Sequence, residues 1–413
     1  MQIISFKNII KLLLITLLSS VIGYFLMVLV YTIPTENISK NVYKSYQDNA
    51  YDVKPITYGK SSAFPNYTEL VYATIAMHEV ENPFIDALKN KSYSEVEFRN
   101  EMNKDYDSFI KSINNNEIGD YGRYWHGEQV ILKPMLYFMT YDIVRSILLL
   151  VMIVITLYLL YRFTSIGLNL SYGLIMVILF LNPITISLSL VEWICPMISF
   201  ISMCVLINMK KQNIKEDLCF QILFCLIGVS VAFFDILRFP LITLGLPLVL
   251  YIKLFLNFED SKDHNYLIKI FNSCVSWGLG YSIMWIMKWV YYTLITGNNK
   301  IEEGIHQVLF RISSNDGESS INIFIMLLRI AYASLQWAWP IFFILTLIYY
   351  IKNKRLFFKK RNIILFLIMF SLPLLWVIIT RNHSFLHTHI AYRNFSIPLF
   401  AFYAFLIKDK KIN

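Results

Sequence analysis

The chain alternates between long apolar runs and short polar breaks over most of its length. The runs cover about residues 10–32, 142–162, 169–190, 192–209, 218–234, 239–256, 268–296, 323–350, 362–380 and 394–408. Most reach the roughly 18–20 residues that a helix needs to cross a hydrocarbon core. The pattern predicts an all-α polytopic membrane protein with about ten transmembrane helices. Pro183, Glu192 and Pro196 interrupt the third and fourth runs, where kinks are expected.

One polar stretch breaks this rhythm. Residues 33–141 carry 15 Asp or Glu against 11 Lys or Arg. The stretch is too long for a connector and predicts a folded loop domain. Helical apolar spacing recurs at 69–80, in a charged amphipathic run at 94–113, and at 128–139. The last of these reads as an amphipathic helix lying on the membrane surface. The expected organisation is an N-terminal helix over 1–32, the loop domain over 33–141, and a multi-helix membrane domain over 142–413.

Composition agrees with a membrane class. The 413 residues are 56% hydrophobic and 16% charged, against roughly 25% charged in soluble domains. The net charge of +9 points to topology rather than to nucleic acid. With the N-terminus inside, Arg162, Lys210, Lys211, Lys215, Lys253, Lys262, Lys269, the block 352–361 and the tail lysines all fall in inner loops. Both termini are therefore expected in the cytoplasm of a bacterial plasma membrane, with anionic headgroups facing the basic loops. The first apolar run exceeds the length of a signal-peptide core and lacks a small-residue cleavage pattern, so it is read as a retained helix. The five cysteines form no CxxC pair and lie in or beside apolar runs, which reads as small buried hydrophobes.

Under this topology the costly polar residues gather on the outer side. They are Arg123, Trp125 and His126 in YGRYWHG (121–127), Asp235 and Arg238 in FFDILRFPLITLGLP (233–247), and Lys288 in GYSIMWIMKW (280–289). Arg329, Arg381, His383, His387, His389 and Arg393 complete the set. Ionisable groups at membrane depth mark functional sites by default, so the clustering predicts a cleft at the outer interface. Each residue also has a structural reading. These are an Asp235–Arg238 pair one turn apart, snorkelling Lys288 and Arg329, a packed His126, and a belt of Trp285, Trp289, Trp337 and Trp339.

HSFLHTH (383–389) spaces its histidines at i, i+4 and i+6, but no carboxylate adjoins them and HExxH is absent. Hydrogen bonds to a phosphate or sugar fit better, with Arg381 and Arg393 supplying charge. No GxGxxG, P-loop or GxSxG motif occurs. No cofactor is expected, and the substrate is expected to reach the site through the membrane.

PNYTEL (65–70), YGRYWHG, FFDILRFPLITLGLP, SWGLGYSIMWIMKW (276–289) and NHSFLHTHIAYR (382–393) resemble a family of bacterial multi-pass proteins of surface-polysaccharide and cell-envelope loci. The resemblance spans nearly the whole chain. The layout is also similar to GT-C glycosyltransferases, in which a first span precedes a long outer loop with juxtamembrane helices. That likeness implies a polyprenyl-phosphate-linked sugar donor, a glycan acceptor and a carboxylate base in the first outer loop. Glu69 in NYTEL and Glu36 just after the first span match the base position. The family pattern there is D-N-Y-T-D-like, whereas this chain has Pro65, Asn66 and Glu69.

A donor phosphate needs cations at the membrane boundary, and Lys288, Arg329 and Arg393 are placed for it, with Arg123, Trp125, Asp235, Arg238, His383 and His387 as further substrate contacts. An acceptor hydroxyl needs a base, for which Glu69, Glu36 and His126 are the candidates. The Trp-His-Gly cluster is expected to tether the outer loop at the lip of the cleft and to touch substrate. Two rival functions stay open: a polysaccharide repeat-unit polymerase, and a non-enzymatic transporter or flippase of lipid-linked oligosaccharide.

Overall fold

The computed structural model describes residues 4–51, 64–93, 104–108, 119–256, 266–315, 319–335, 338–356 and 358–408. Among them the chain is all helix and connection, with isolated bridges in place of strands. Five helices are long and apolar enough to cross a membrane: α1 (Phe6–Val30), α6 (Tyr141–Ile166), α9 (Leu190–Lys211), α10 (Asp217–Phe234) and α16 (Lys360–Ile379). Four shorter apolar helices accompany them: α7 (Leu168–Leu181), α11 (Leu241–Phe255), α14 (Ile323–Ser334) and α15 (Ala338–Lys352). The longest helix is α12 (Tyr266–Thr296), with 31 residues. The protein is an all-α membrane protein.

Several expected spans are broken, each for a local reason. The run 169–190 stops at Asn182, whose φ is +69°. Its side chain accepts from the backbone N–H of Ile184 (3.1 Å) and caps a short helix, α8 (Pro183–Leu188). Pro183 at the first helical position lacks the N–H that a cap would otherwise satisfy. Pro196 sits inside α9 without ending it. The run 323–350 is two helices, α14 and α15. The run 394–408 is a 3₁₀ turn (Tyr392–Phe395), a short helix and a π turn (Phe402–Leu406).

The bundle packs most tightly where α10 crosses α12. A Cβ at Gly228 would strike the Trp277 carbonyl, and one at Gly280 would strike the Cys225 carbonyl. Small residues thus let the two backbones touch, the usual device where lipid gives no hydrophobic drive to association. Polar contacts fasten α1 to this pair: Thr16 Oγ1 lies 3.3 Å from Cys225 Sγ, and Asn8 donates to Gln221 Oε1 at 3.1 Å.

The loop domain supplies α2 (Thr35–Gln47), α3 (Asn66–Met77), α4 (Pro83–Lys89) and α5 (Gln129–Phe138). The expected helices at 69–80 and 128–139 are present as α3 and α5, whereas most of the expected 94–113 helix lies outside the described residues. From Glu69 to Met77, α3 is wholly buried. Lys133 of α5, also buried, donates to the Ala76 carbonyl at the end of α3 (2.8 Å). Burial holds its amine down at about 7. Two further helices, α13 (Lys300–Ile312) and the short α17 (Arg381–Leu386), close over the same end of the bundle. Trp337 and the tail lysines Lys410 and Lys411 fall outside the described residues.

Candidate functional site

YGRYWHG is fastened to α12 by side chains from both partners. Trp125 is buried and its indole N–H donates to the Met284 carbonyl (2.7 Å). Trp289 donates to the Arg123 carbonyl (3.0 Å). Lys288 is fully buried, donates to the carbonyls of Leu88 (2.8 Å) and Ala87 (3.3 Å), and lies 5.5 Å from the Trp125 ring. It therefore caps α4 and docks the loop domain, and its ammonium is turned away from lipid. The expected tether is present, with Lys288 as one of its fasteners.

A second fixing point bends the chain. Gly127 donates its backbone N–H to the Phe233 carbonyl (2.9 Å), and a Cβ at Gly127 would strike the Phe233 ring. The neighbouring residues of each segment adopt left-handed backbone: His126 at φ +55° and Leu237 at φ +71°. Such conformations cost a branched or bulky residue on the order of 1–3 kcal/mol and cluster at functional sites. Here both serve to aim polar side chains into one buried space.

The centre of that space is a histidine–carboxylate pair. His126 Nδ1 lies 2.7 Å from Glu128 Oε1, and both side chains are fully buried. Their other atoms, His126 Nε2 and Glu128 Oε2, have no hydrogen-bond partner. Tyr121, Tyr124 and Tyr72 surround the imidazole, with ring centroids 5.0, 5.9 and 6.0 Å away. Asp235 faces the same space. Its Oδ2 accepts from the Arg238 backbone N–H (2.9 Å), while Oδ1 is unpaired. Burial pushes its carboxyl up to about 6 against the opposing pull of Arg238 and Cys195. The Tyr72 hydroxyl is raised by burial and then by the charges of Glu128 and Asp235, so all three share one neighbourhood. The Tyr72 hydroxyl is also unpaired, whereas the Tyr281 hydroxyl lies within reach of the Trp285 indole N–H. Buried polar atoms are bonded nine times in ten, which makes the open atoms of His126, Glu128, Asp235 and Tyr72 the candidate site.

Cations line the far wall. Glu192 of α9 is buried and pairs through one oxygen with Arg238 and through the other with Arg393. Arg393 also donates to Thr185 (3.2 Å). Arg311 of α13 reaches in, with Nη1 2.5 Å from His383 Nδ1 and Nη2 donating to the Tyr124 hydroxyl (2.8 Å). Burial, then Arg311 and His387, hold the His383 imidazole well below its usual range, so it accepts from Arg311 as a neutral ring. His387, 4.8 Å from it between centroids, is held down to about 4 by burial and its cationic neighbours. Arg123 lies 4.8 Å from the Tyr121 ring and 5.2 Å from the Tyr124 ring, at the rim.

An apolar groove of about 420 Å³, lined by none of the site residues above, lies one side chain away from Arg393. Phe180, Ile330, Trp339, Phe370, Phe395 and Phe402 are among its lining. Phe180 meets Tyr392 edge-on at 5.5 Å, and the Tyr392 hydroxyl accepts from Arg393 Nε (3.5 Å).

Of the sequence candidates, His126, Arg123, Asp235, Arg238, Arg393, His383 and His387 come together around this space. Three do not. Glu36 is 75% exposed on α2 and pairs with Lys40 one turn on (2.6 Å). Glu69 is buried but is held by Arg145 of α6 at 2.5 Å. Arg329 is exposed, 4.5 Å from the Phe385 ring, and shares a separate recess with His389. The sequence reading missed Glu128, Glu192, Arg311, Tyr72 and Tyr281 as site residues. Glu128 stands two positions from His126, and Glu192 is an acid inside an apolar run, so both carried a signal. Arg311 gave none beyond its type. Among the described residues no three His, Cys, Asp or Glu gather as a metal site. No family model, no curated protein and no solved structure matches the chain.

Proposed function

We propose that the chain is an envelope glycosyltransferase that moves a sugar from a polyprenyl-phosphate-linked donor to a surface glycan or glycolipid at the outer face of the membrane. On this reading the apolar helices form about ten spans with both termini cytoplasmic, a layout similar to GT-C enzymes. The observation that carries the proposal is the buried His126–Glu128 pair with its unpaired His126 Nε2, opposite an arginine-rich wall one side chain away from an apolar groove.

Each part has a task. An acceptor hydroxyl approaches His126 Nε2, and Glu128 holds the ring through Nδ1 and stabilises the imidazolium that forms. The O–H bond breaks as acceptor oxygen bonds to the anomeric carbon. The bond from that carbon to the phosphate oxygen breaks, and the lipid phosphate leaves with the electron pair. Arg238 and Arg311 offset its charge in a site shielded from water. The groove takes isoprenoid units next to that phosphate. Glu69 and Glu36 are set aside as bases, because Arg145 holds the first and solvent surrounds the second.

The test compares surface glycan and lipid-linked intermediates, by mass spectrometry, in a deletion strain carrying wild type, His126→Gln or an empty vector. Loss of one sugar substituent from full-length glycan in the second and third strains is the expected outcome. Single repeats without long chains would move the assignment to a polymerase. Unchanged pools in the deletion strain would overturn both enzyme readings.

A further inference from the structure

We infer that α13 is a bilayer-seated helix whose apolar stripe rests in the headgroup–acyl boundary and whose seating holds Arg311 in the site. The sequence KIEEGIHQVLFRI (300–312) is too short and too charged to span a membrane. Five of its six apolar residues nonetheless fall on one stripe, and Phe310, 39% exposed, faces away from it. Ile301, Ile305, Val308, Leu309 and Ile312 follow helical spacing and are 36–58% exposed. In an aqueous protein such a patch would be unusual.

An adjoining face is engaged by protein. Gly304 lies flat against the Trp289 indole, where any Cβ would collide. Lys300 is buried and bonds Glu303 (2.6 Å) and Asp120 (3.3 Å). Arg311 reaches His383 and Tyr124. A turn through Gly297, at φ +76°, and the Asn299 cap set the helix at an angle to the end of α12.

The occupant of the stripe follows from its neighbours. Leu294 and Ile295 at the end of α12 are exposed, as are Phe324, Ile325 and Leu328 at the start of α14. These belong to the apolar flank of the bundle. The α13 stripe continues that surface at the end that carries the loop domain. The partner is therefore lipid at the interface, as for other amphipathic surface helices. Arg311 is anchored on His383 and Tyr124. Lifting α13 from lipid would withdraw it. The seating stands apart from the glycosyltransferase reading; only the use made of Arg311 rests on it.

The experiment uses the full chain in phosphatidylethanolamine–phosphatidylglycerol nanodiscs. Leu309→Cys and His306→Cys are labelled with a charged maleimide and read by peptide mapping, which separates them from the five native cysteines. Position 306, which is exposed beside the stripe, should label about tenfold or more faster than position 309. Equal rates would overturn the seating. In a second arm, diethyl pyrocarbonate modification of His383 is measured against His306. Leu309→Glu should raise it about threefold or more, whereas Leu309→Ala should not. Should Leu309→Glu fail to fold, Leu309→Gln takes its place. No change in a folded polar variant would overturn the coupling. Neither readout needs transferase activity, so failure here and failure of the proposed reaction remain distinguishable.

Discussion

Among its described residues the loop domain buries two glutamates, and their surroundings differ in one decisive respect. Glu69 faces a guanidinium and pairs through Oε2 with Arg145, while its own second oxygen carries no hydrogen bond. Glu128 faces an imidazole and leaves both its own second oxygen and the far ring nitrogen open. An arginine cannot give up its proton at physiological pH, so the first pair is a strut. A histidine can take and release one, so the second pair can do acid–base work. The resemblance around NYTEL favoured Glu69, and location in the first outer loop fitted Glu36 at least as well. On the proposed reading the partner favours Glu128.

The sharpest way to break this contrast is to neutralise each acid in turn. Glu69→Gln strands Arg145 in a buried setting and should cost about 3–5 kcal/mol of stability. Denaturation in detergent, followed by fluorescence, would measure it. Transfer per folded molecule should remain. A large loss of transfer with stability intact would reverse the two roles. His126→Gln should do the opposite: a fall of roughly 10²–10⁴-fold in transfer rate, with little change in melting. Glu128→Gln should be milder, about 10–100-fold, as for residues that orient rather than react. Its melting temperature should stay near that of the wild type.

Much of the architecture was legible because burial in lipid leaves a coarse signature. Apolar runs revealed the helices, and α3 and α5 followed from helical spacing. The breaks were harder. Pro183 hinted at one, but the turn at Asn182 depends on a side-chain cap that hydropathy does not see. α13 was passed over because its apolar residues are dispersed at a helical period within a charged segment. Of the site, His126, Asp235, Arg238, His383 and Arg393 stood out as polar residues in costly places. Their partners did not. Glu192 binds Arg238 and Arg393 across 46 and 201 positions of sequence, and no local pattern encodes so distant a pairing. Lys288 looked like a phosphate ligand only because the carbonyls it caps, on α4, lie 200 positions away.

Smaller effects sharpen the same comparison through pH. His387 is held down to about 4 from 6.5, so the unfolded chain binds its proton first as pH falls. Stability is full above 6.5 and declines as pH drops toward 4. Asp235, raised to about 6 from 3.8, opposes this: its neutral form favours the fold below 3.8, and that advantage fades as pH rises through 6. His78, His383 and His389 are held down as well, so melting scans between pH 4 and 7 should show a net acid decline. His387→Gln should flatten the decline, and Asp235→Asn should steepen it. Identical profiles for all three proteins would mean that these groups are solvated.

The smallest effect belongs to the third acid. Glu36 is 75% exposed and its ion pair with Lys40 spans one helical turn. Solvent and salt weaken such pairs until they contribute little, and Lys40 keeps its hydration when its partner is removed. Glu36→Gln should leave the melting temperature near that of the wild type and leave surface glycan unchanged. Loss of glycan with a normal melt would mean that Glu36, close behind the first helix, reaches substrate after all. The catalytic base would then have to be sought on the exposed face of α2 rather than beside His126.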